Sequence, residues 1–228
     1  FIDQTLPDGW IKLKSSMVCA LISCGKTPTG KISDKGEVAY LKVYNIVNNK
    51  IDFEYKPQFI DYETHSTKLK NSMLRPNDVI MNIVGPPLKK IAIIPETYEH
   101  WNINQALVRF RTIDCINYKY YYYCLLYDDT LKEVINSTRG VVGQANISVS
   151  QARDLDIIIP SLEEQKEIVR ILDKLLEEEA KIEELTKLEE QIELIKKSIL
   201  AKAFRGQLGT NSEDDESAIE LLKEILNK

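Results

Sequence analysis

Residues 160–208 read PSLEEQKEIVRILDKLLEEEAKIEELTKLEEQIELIKKSILAKAFRGQL. Ser161 followed by Glu164 is a capping-box pattern, in which a hydroxyl and a carboxylate satisfy orphan N–H groups at a helix start. No Gly or Pro occurs from there to Phe204. Apolar residues recur as Ile168, Leu172, Leu175, Ile182, Leu185, Leu188, Ile192, Ile195, Ile199 and Ala203, at intervals of three, four and seven. This is a coiled-coil seam, imperfect where Glu178 and Glu179 stand in place of an apolar residue. About forty helical residues extend for roughly 60 Å. One small globular domain cannot cover so long a stripe, so the helix needs a partner helix. Leu175, Ile182, Leu185, Leu188, Ile192, Ile195 and Ile199 are the residues expected to make that dimer contact. Gly206 suits the position just past the helix end.

Outward from this helix the grammar changes in both directions. Behind it, residues 209–216 form a short, acidic linker, and a last amphipathic helix is expected from about Ser217 to Leu226 with Ile219, Leu222, Ile225 and Leu226 on one face. Ahead of it, residues 6–160 read as short strands punctuated by Gly, Pro and Asn. VAYLKV (38–43), DVIMNIV (78–84) and KIAII (90–94) are rich in β-formers, with Gly85-Pro86-Pro87 turning between the last two. QALVRFR (105–111) alternates, which predicts a strand with one face inward and one outward. One helix is expected from Asn117 through Asp128-Asp129 to about Asn136, its tyrosines (Tyr118, Tyr120, Tyr121, Tyr122, Tyr123, Tyr127) serving packing ahead of base stacking. The predicted class is α+β: a mixed, β-rich domain over 1–160, a long coiled-coil helix over 161–208, and a linker with a short helix over 209–228.

The net charge is −5, which taken alone argues against nucleic acid. The average conceals a split. Residues 1–160 carry 19 Lys and Arg against 17 Asp and Glu, whereas residues 161–228 carry 11 against 18. A mildly basic front domain permits DNA binding without demonstrating it. Cys19, Cys24, Cys115 and Cys124 form no CxxC pair, and His65 and His100 are the only histidines. No metal site is expected, and buried free thiols in a reducing cytoplasm are. No apolar run is long enough for a membrane span.

Several stretches, in order, resemble one family. These are Leu6-Pro7-Asp8-Gly9-Trp10 at the start, Gly25-Lys26-Thr27-Pro28, the hairpin from Asp78-Val79-Ile80 through Gly85 to Ile91-Ala92-Ile93, and Asn104-Gln105-Ala106. Gly143-Gln144-Ala145-Asn146-Ile147-Ser148, the start of the long helix from Pro160 to Gln165, and Ala203-Phe204-Arg205-Gly206-Gln207-Leu208 at its end complete the series. No one of them is specific, but the set and the domain-then-helix layout resemble half of a type I restriction-modification specificity subunit. The hairpin departs from the family pattern at Gly85-Pro86-Pro87-Leu88-Lys89. The resemblance implies a target-recognition domain for double-stranded DNA and a spacer helix acting as a ruler. It implies modification (methyltransferase) subunits and a restriction subunit as partners, with S-adenosylmethionine and ATP bound by them and no cofactor bound by this chain. One recognition domain and one spacer in place of two of each imply either a fragment or a half-subunit that forms a homodimer and reads a split, palindromic site. A cytoplasmic location goes with that reading.

Reading bases needs amides and guanidiniums at base edges, with cations and hydroxyls on phosphates. Lys26, Thr27, Thr29 and Lys31 in one loop, Lys42, Tyr44 and Asn45 at a strand end, and Lys89 and Lys90 in the hairpin are candidates. So are Asn104 and Gln105 at a turn, and Arg139, Gln144 and Asn146 in a glycine-flanked loop. Asn104 and Gln105 serve a turn equally well. An enzyme is not expected. Pro86-Pro87 lacks the flanking amide and aromatic of the amino-methyltransferase motif, and Glu54-Tyr55-Lys56 lacks a nearby Pro-Asp partner for a nuclease metal site. The alternative is a coiled-coil adaptor whose β domain binds protein. A DNA reader should show a basic face there, and an adaptor an apolar patch.

Overall fold

The computed structural model describes residues 6–28, 32–85, 88–138, 146–209 and 217–227. In chain order it holds β1 (Ile11–Lys14), α1 (Ser15–Val18), β2 (Cys19–Cys24), β3 (Val38–Leu41), β4 (Ile46–Val47), β5 (Lys50–Ile51), β6 (Phe59–Ile60), α2 (Tyr62–Ser66), β7 (Met73–Leu74), β8 (Val79–Asn82), β9 (Ile91–Ile93), β10 (Trp101–Ile103) and β11 (Leu107–Thr112). Then come α3 (Tyr118–Leu126), α4 (Asp128–Thr138), α5 (Val149–Arg153), β12 (Asp156–Ile159), α6 (Leu162–Ala203) and α7 (Ala218–Leu226). The class is α+β, a β-rich domain followed by a long helix. The chain forms two compact units, one through Ile171 and one from Leu172.

Two four-stranded sheets build the first unit, ordered β6-β3-β10-β7 and β2-β11-β8-β9. All their pairings are antiparallel except β3 with β10. The second sheet is covered on both faces, which explains why its strands read as nearly continuous apolar runs. Val79, Met81, Ile91, Val108 and Phe110 enter one core with Tyr120, Tyr121 and Leu125 of α3. Ile80, Ala92 and Leu107 enter the other with Trp101 and Ile103 of β10. The expectation of one inward and one outward face for 105–111 is therefore corrected, because Leu107 through Phe110 are all buried.

The single helix expected over 117–136 is two helices. Tyr127 sits between them in an extended conformation, φ −64° and ψ 126°. Asp128 and Asp129 occupy the first turn of α4, where carboxylates favour a helix beginning over a continuation. Tyr120 and Tyr121 are buried in packing, as expected. Burial pushes the Cys19 and Cys124 thiols up to about 12, which disfavours the reactive thiolate. Of the four thiols expected to be buried, Cys19 is; Cys24 and Cys124 are half-buried, and Cys115 is exposed.

The start of α6 is locked into this unit. Ser161 Oγ accepts the Glu164 amide at 3.3 Å, one arm of the expected capping box. The Glu164 carboxylate accepts the Trp10 indole N–H at 3.2 Å, placed there because β1 and β12 pair from Ile11–Ile159 to Lys14–Asp156. The chain turns into β1 at Pro7, whose carbonyl takes the Trp10 amide at 3.1 Å. Gly9, at φ 81°, supplies the left-handed residue that turn needs. Gln165 is buried: its Oε1 accepts the Asn117 amide at 2.9 Å, and its Nε2 donates to the Pro160 carbonyl at 3.1 Å.

In the second unit, α6 carries Leu175, Ile182, Leu185, Leu188, Ile192, Ile195 and Ile199 about half exposed or more. From Leu185 to Ile199 their spacing is a strict alternation of three and four. The helix ends in a Schellman arrangement, Gly206 at φ 67° with Gln207 N–H on the Lys202 carbonyl at 2.8 Å and Gly206 N–H on Ala203 at 3.0 Å. Helix α7 is capped by Ser217, whose hydroxyl accepts the Ile219 amide at 3.2 Å, and its Ile219, Leu222, Ile225 and Leu226 are exposed. No described helix is long and apolar enough to cross a membrane.

Candidate nucleic-acid interface

Sheet register brings the described sequence candidates to one end of the first unit. β3 and β10 run parallel and finish together, Leu41 opposite Ile103. β11 begins there, with Leu107 opposite Asn82 of β8 and Val108 opposite Cys24 of β2. The segments that leave or enter these strands, 25–28, 42–45, 83–85, 88–90 and 104–106, are therefore neighbours.

Gly25 joins the first segment to the 104–106 turn. Its N–H donates to the Leu107 carbonyl at 3.1 Å. A Cβ there would stand 2.0 Å from the Ile103 carbonyl oxygen and 2.3 Å from that of Asn104, so only glycine permits the approach. Past it, Lys26 and Thr27 are exposed. The Thr27 hydroxyl donates to Gln105 Oε1, and the buried Tyr40 sends its hydroxyl to the Lys26 carbonyl at 3.1 Å and to Thr27 Oγ1 at 3.3 Å. Gln105 is exposed, with its amide nitrogen left as a donor. Asn104 serves the turn: its Oδ1 accepts the Ala106 amide at 3.3 Å and its N–H donates to Leu41 at 3.1 Å. Ile83 N–H then reaches the Ala106 carbonyl, and Ile147 N–H the Ile83 carbonyl, both at 2.8 Å. Asn146, exposed, bridges to Val84.

Lys42 and Tyr44 are half-buried at the end of β3, Tyr44 donating to the Lys56 carbonyl at 3.3 Å. Asn45 is corrected. It is fully buried; its Oδ1 accepts the Lys42 amide at 3.0 Å, and its Nδ2 donates to the carbonyls of Asp52 and Tyr55 at 3.2 and 3.1 Å. That side chain braces its own loop. Lys89 is held in an ion pair by Asp128, and Lys90 reaches the Val43 carbonyl at 3.5 Å. Thr29, Lys31, Arg139 and Gln144 lie outside the described residues.

Sequence reasoning passed over Arg109 and Arg111. Two cations at i and i+2 on a central strand share one face with Leu107, and that spacing is the signal that could have found them. Arg111 forks onto Asp78, Nε to Oδ1 at 2.7 Å and a terminal nitrogen to Oδ2 at 2.6 Å. Arg109 is 2% exposed and donates to Ser23 Oγ at 2.7 Å, the Asn71 carbonyl at 2.9 Å and the Met73 carbonyl.

The family model described as the type I restriction modification DNA specificity domain matches residues 7–194. The type I restriction enzyme EcoBI specificity subunit of Escherichia coli is 26% identical over 175 residues, covering 76% of this chain and 36% of that protein. Two solved structures share the fold at 20% identity, each covering 91% of this chain. The HsdS subunit from Thermoanaerobacter tengcongensis superposes with a TM-score of 0.62 over 47% of its length, and a chain from a type I R-M system does so with 0.70 over 48%. The chain thus spans about a third to a half of the length of these relatives. With most of its length matched by that family model and its fold shared by an HsdS subunit, the chain belongs to the family of type I restriction modification DNA specificity domains.

Proposed function

We propose that this chain recognises a short sequence of double-stranded DNA with the end of the first unit where Lys26, Thr27, Lys42, Lys90, Gln105 and Asn146 meet. The observation that carries this is their convergence: residues scattered over more than a hundred positions arrive on neighbouring loops through strand register. Lys26, Lys42 and Lys90 offer cations to phosphates, which set affinity. Gln105 and Asn146 offer amides to base edges, which set sequence. Gln105 is oriented for this by Thr27, which occupies its oxygen and leaves its nitrogen to donate.

The chain itself does no chemistry in this reading. Modification subunits and a restriction subunit supply S-adenosylmethionine- and ATP-dependent steps, and this chain positions them on DNA. Its long helix pairs with a second such helix, so that a second copy reads the other half of a split site.

Selection from a library of random duplexes tests the reading. A short recurrent motif should be enriched; uniform binding without enrichment contradicts it. In a titration, Lys26→Ala should weaken binding to all duplexes and lower the slope of log affinity against log salt by about 0.9, without change in melting temperature. An unaltered slope removes Lys26 from the interface. Ile192→Asp with Ile195→Asp should convert a dimer to a monomer in sedimentation, since each places a carboxylate in the apolar seam; a dimer that survives rules that seam out.

A further inference from the structure

A second feature of the first unit lies apart from the loops just described. A cavity of about 520 Å3 opens between β2 and β7, the edge strands of the two sheets, and runs beneath β11. Lys70, Arg75, Arg109, Arg111 and Arg153 line it, against one carboxylate, Glu99, whose side chain is 87% exposed. Asp78 neutralises Arg111 from behind, and Arg153 is held by the Ile22 carbonyl at 3.0 Å. Lys70 and Arg75, both exposed, have no side-chain partner among the described residues.

Arg109 is the informative group. Its guanidinium is buried and rests on neutral acceptors only, and its Nε–H has no partner at all. A buried cation without a direct counter-ion is costly unless something compensates it. Burial draws the Arg109 pKa down to about 10, in keeping with that cost. Asp78 acts on Arg109 only at a distance, its oxygens being taken by Arg111 and the Arg75 amide, so no carboxylate hydrogen-bonds the Arg109 guanidinium among the described residues.

We propose that this cavity binds a phosphate group. Guanidinium forks match the oxygens of a phosphate in pairs, and the surplus of cations suits a doubly charged or diester oxyanion. Two sources share this chemistry, the backbone of duplex DNA and a free phosphate-bearing ligand. The first rests on the DNA reading above: Arg109 and Arg111 lie roughly 7 and 13 Å beyond Leu107 along β11 at strand rise, a separation within the reach of one duplex backbone.

The test uses the full chain, inorganic phosphate and a duplex of random sequence, with Lys70→Gln/Arg75→Gln as the variant, since neither side chain supports the fold. Wild type should bind inorganic phosphate saturably by NMR titration, the variant at least tenfold more weakly, and Lys26→Gln like wild type. If the salt slope for the duplex also falls in the variant, the source is the DNA backbone. If the slope holds while phosphate binding is lost, the source is a free ligand. Absence of saturable phosphate binding together with an unchanged slope overturns the proposal, as does phosphate binding that the variant retains. A chain that binds phosphate in this way but no DNA refutes the DNA reading and leaves the phosphate site standing.

Discussion

Arg111→Ala is expected to destabilise the first unit by about 3–5 kcal/mol, the cost of leaving one member of a buried ion pair alone. Asp78 is 2% exposed and takes two hydrogen bonds from the Arg111 guanidinium and one from the Arg75 amide at 2.8 Å. Removing the guanidinium leaves a buried carboxylate with one of these three hydrogen bonds, that from the Arg75 amide. Asp78→Asn should cost less, because the Arg111 side chain is 23% exposed and can turn its charge to water, while the amide still accepts from Arg75. Urea unfolding of the two variants measures the asymmetry. Equal losses, or a loss below about 1 kcal/mol for Arg111→Ala, would show that the pair is solvated and not a buried support.

What the sequence disclosed and what it withheld follow from the range of the interactions involved. The long helix was legible because periodicity, a cap and a terminal glycine are local: α6 runs from Leu162 to Ala203, starting one residue after the expected 161–208 segment begins and ending five residues before it closes. Strands β8 and β9 were equally clear, since their β-formers flank a turn. The parallel pairing of β3 with β10 was not legible, because it depends on contacts sixty residues apart. The same limit governed the site. Lys26, Gln105 and Asn146 could be singled out by type, but only register shows that they share one end of the first unit. Asn45 misled because an asparagine among Asn and Lys residues looks like surface, and its burial is decided by the carbonyls of Asp52 and Tyr55. Arg109 was hidden for the opposite reason: a cation in an alternating strand suggests an outer face, yet that face is roofed by the sheet that holds β10 and β7.

Gly25→Ala is expected to cost both stability and DNA affinity, and the two losses have one cause. The added Cβ would meet the Ile103 and Asn104 carbonyl oxygens at 2.0 and 2.3 Å. These are backbone atoms, so no rotamer change relieves the clash. Either the Gly25–Leu107 hydrogen bond opens or the Asn104–Ala106 turn moves, and the unit loses about 3 kcal/mol, at the upper end of ordinary overpacking. Each route separates Thr27 from Gln105 and carries Lys26 out of line. Duplex binding should therefore fall more than in Lys26→Ala, which removes one cation and leaves the join intact. Thermal unfolding and duplex titration of the two variants side by side distinguish the effects. Lys26→Ala should lose affinity at constant stability, and Gly25→Ala should lose both. A Gly25→Ala protein of unaltered stability would mean that the two loops are not in contact, and the convergence that supports DNA reading would lose its joint.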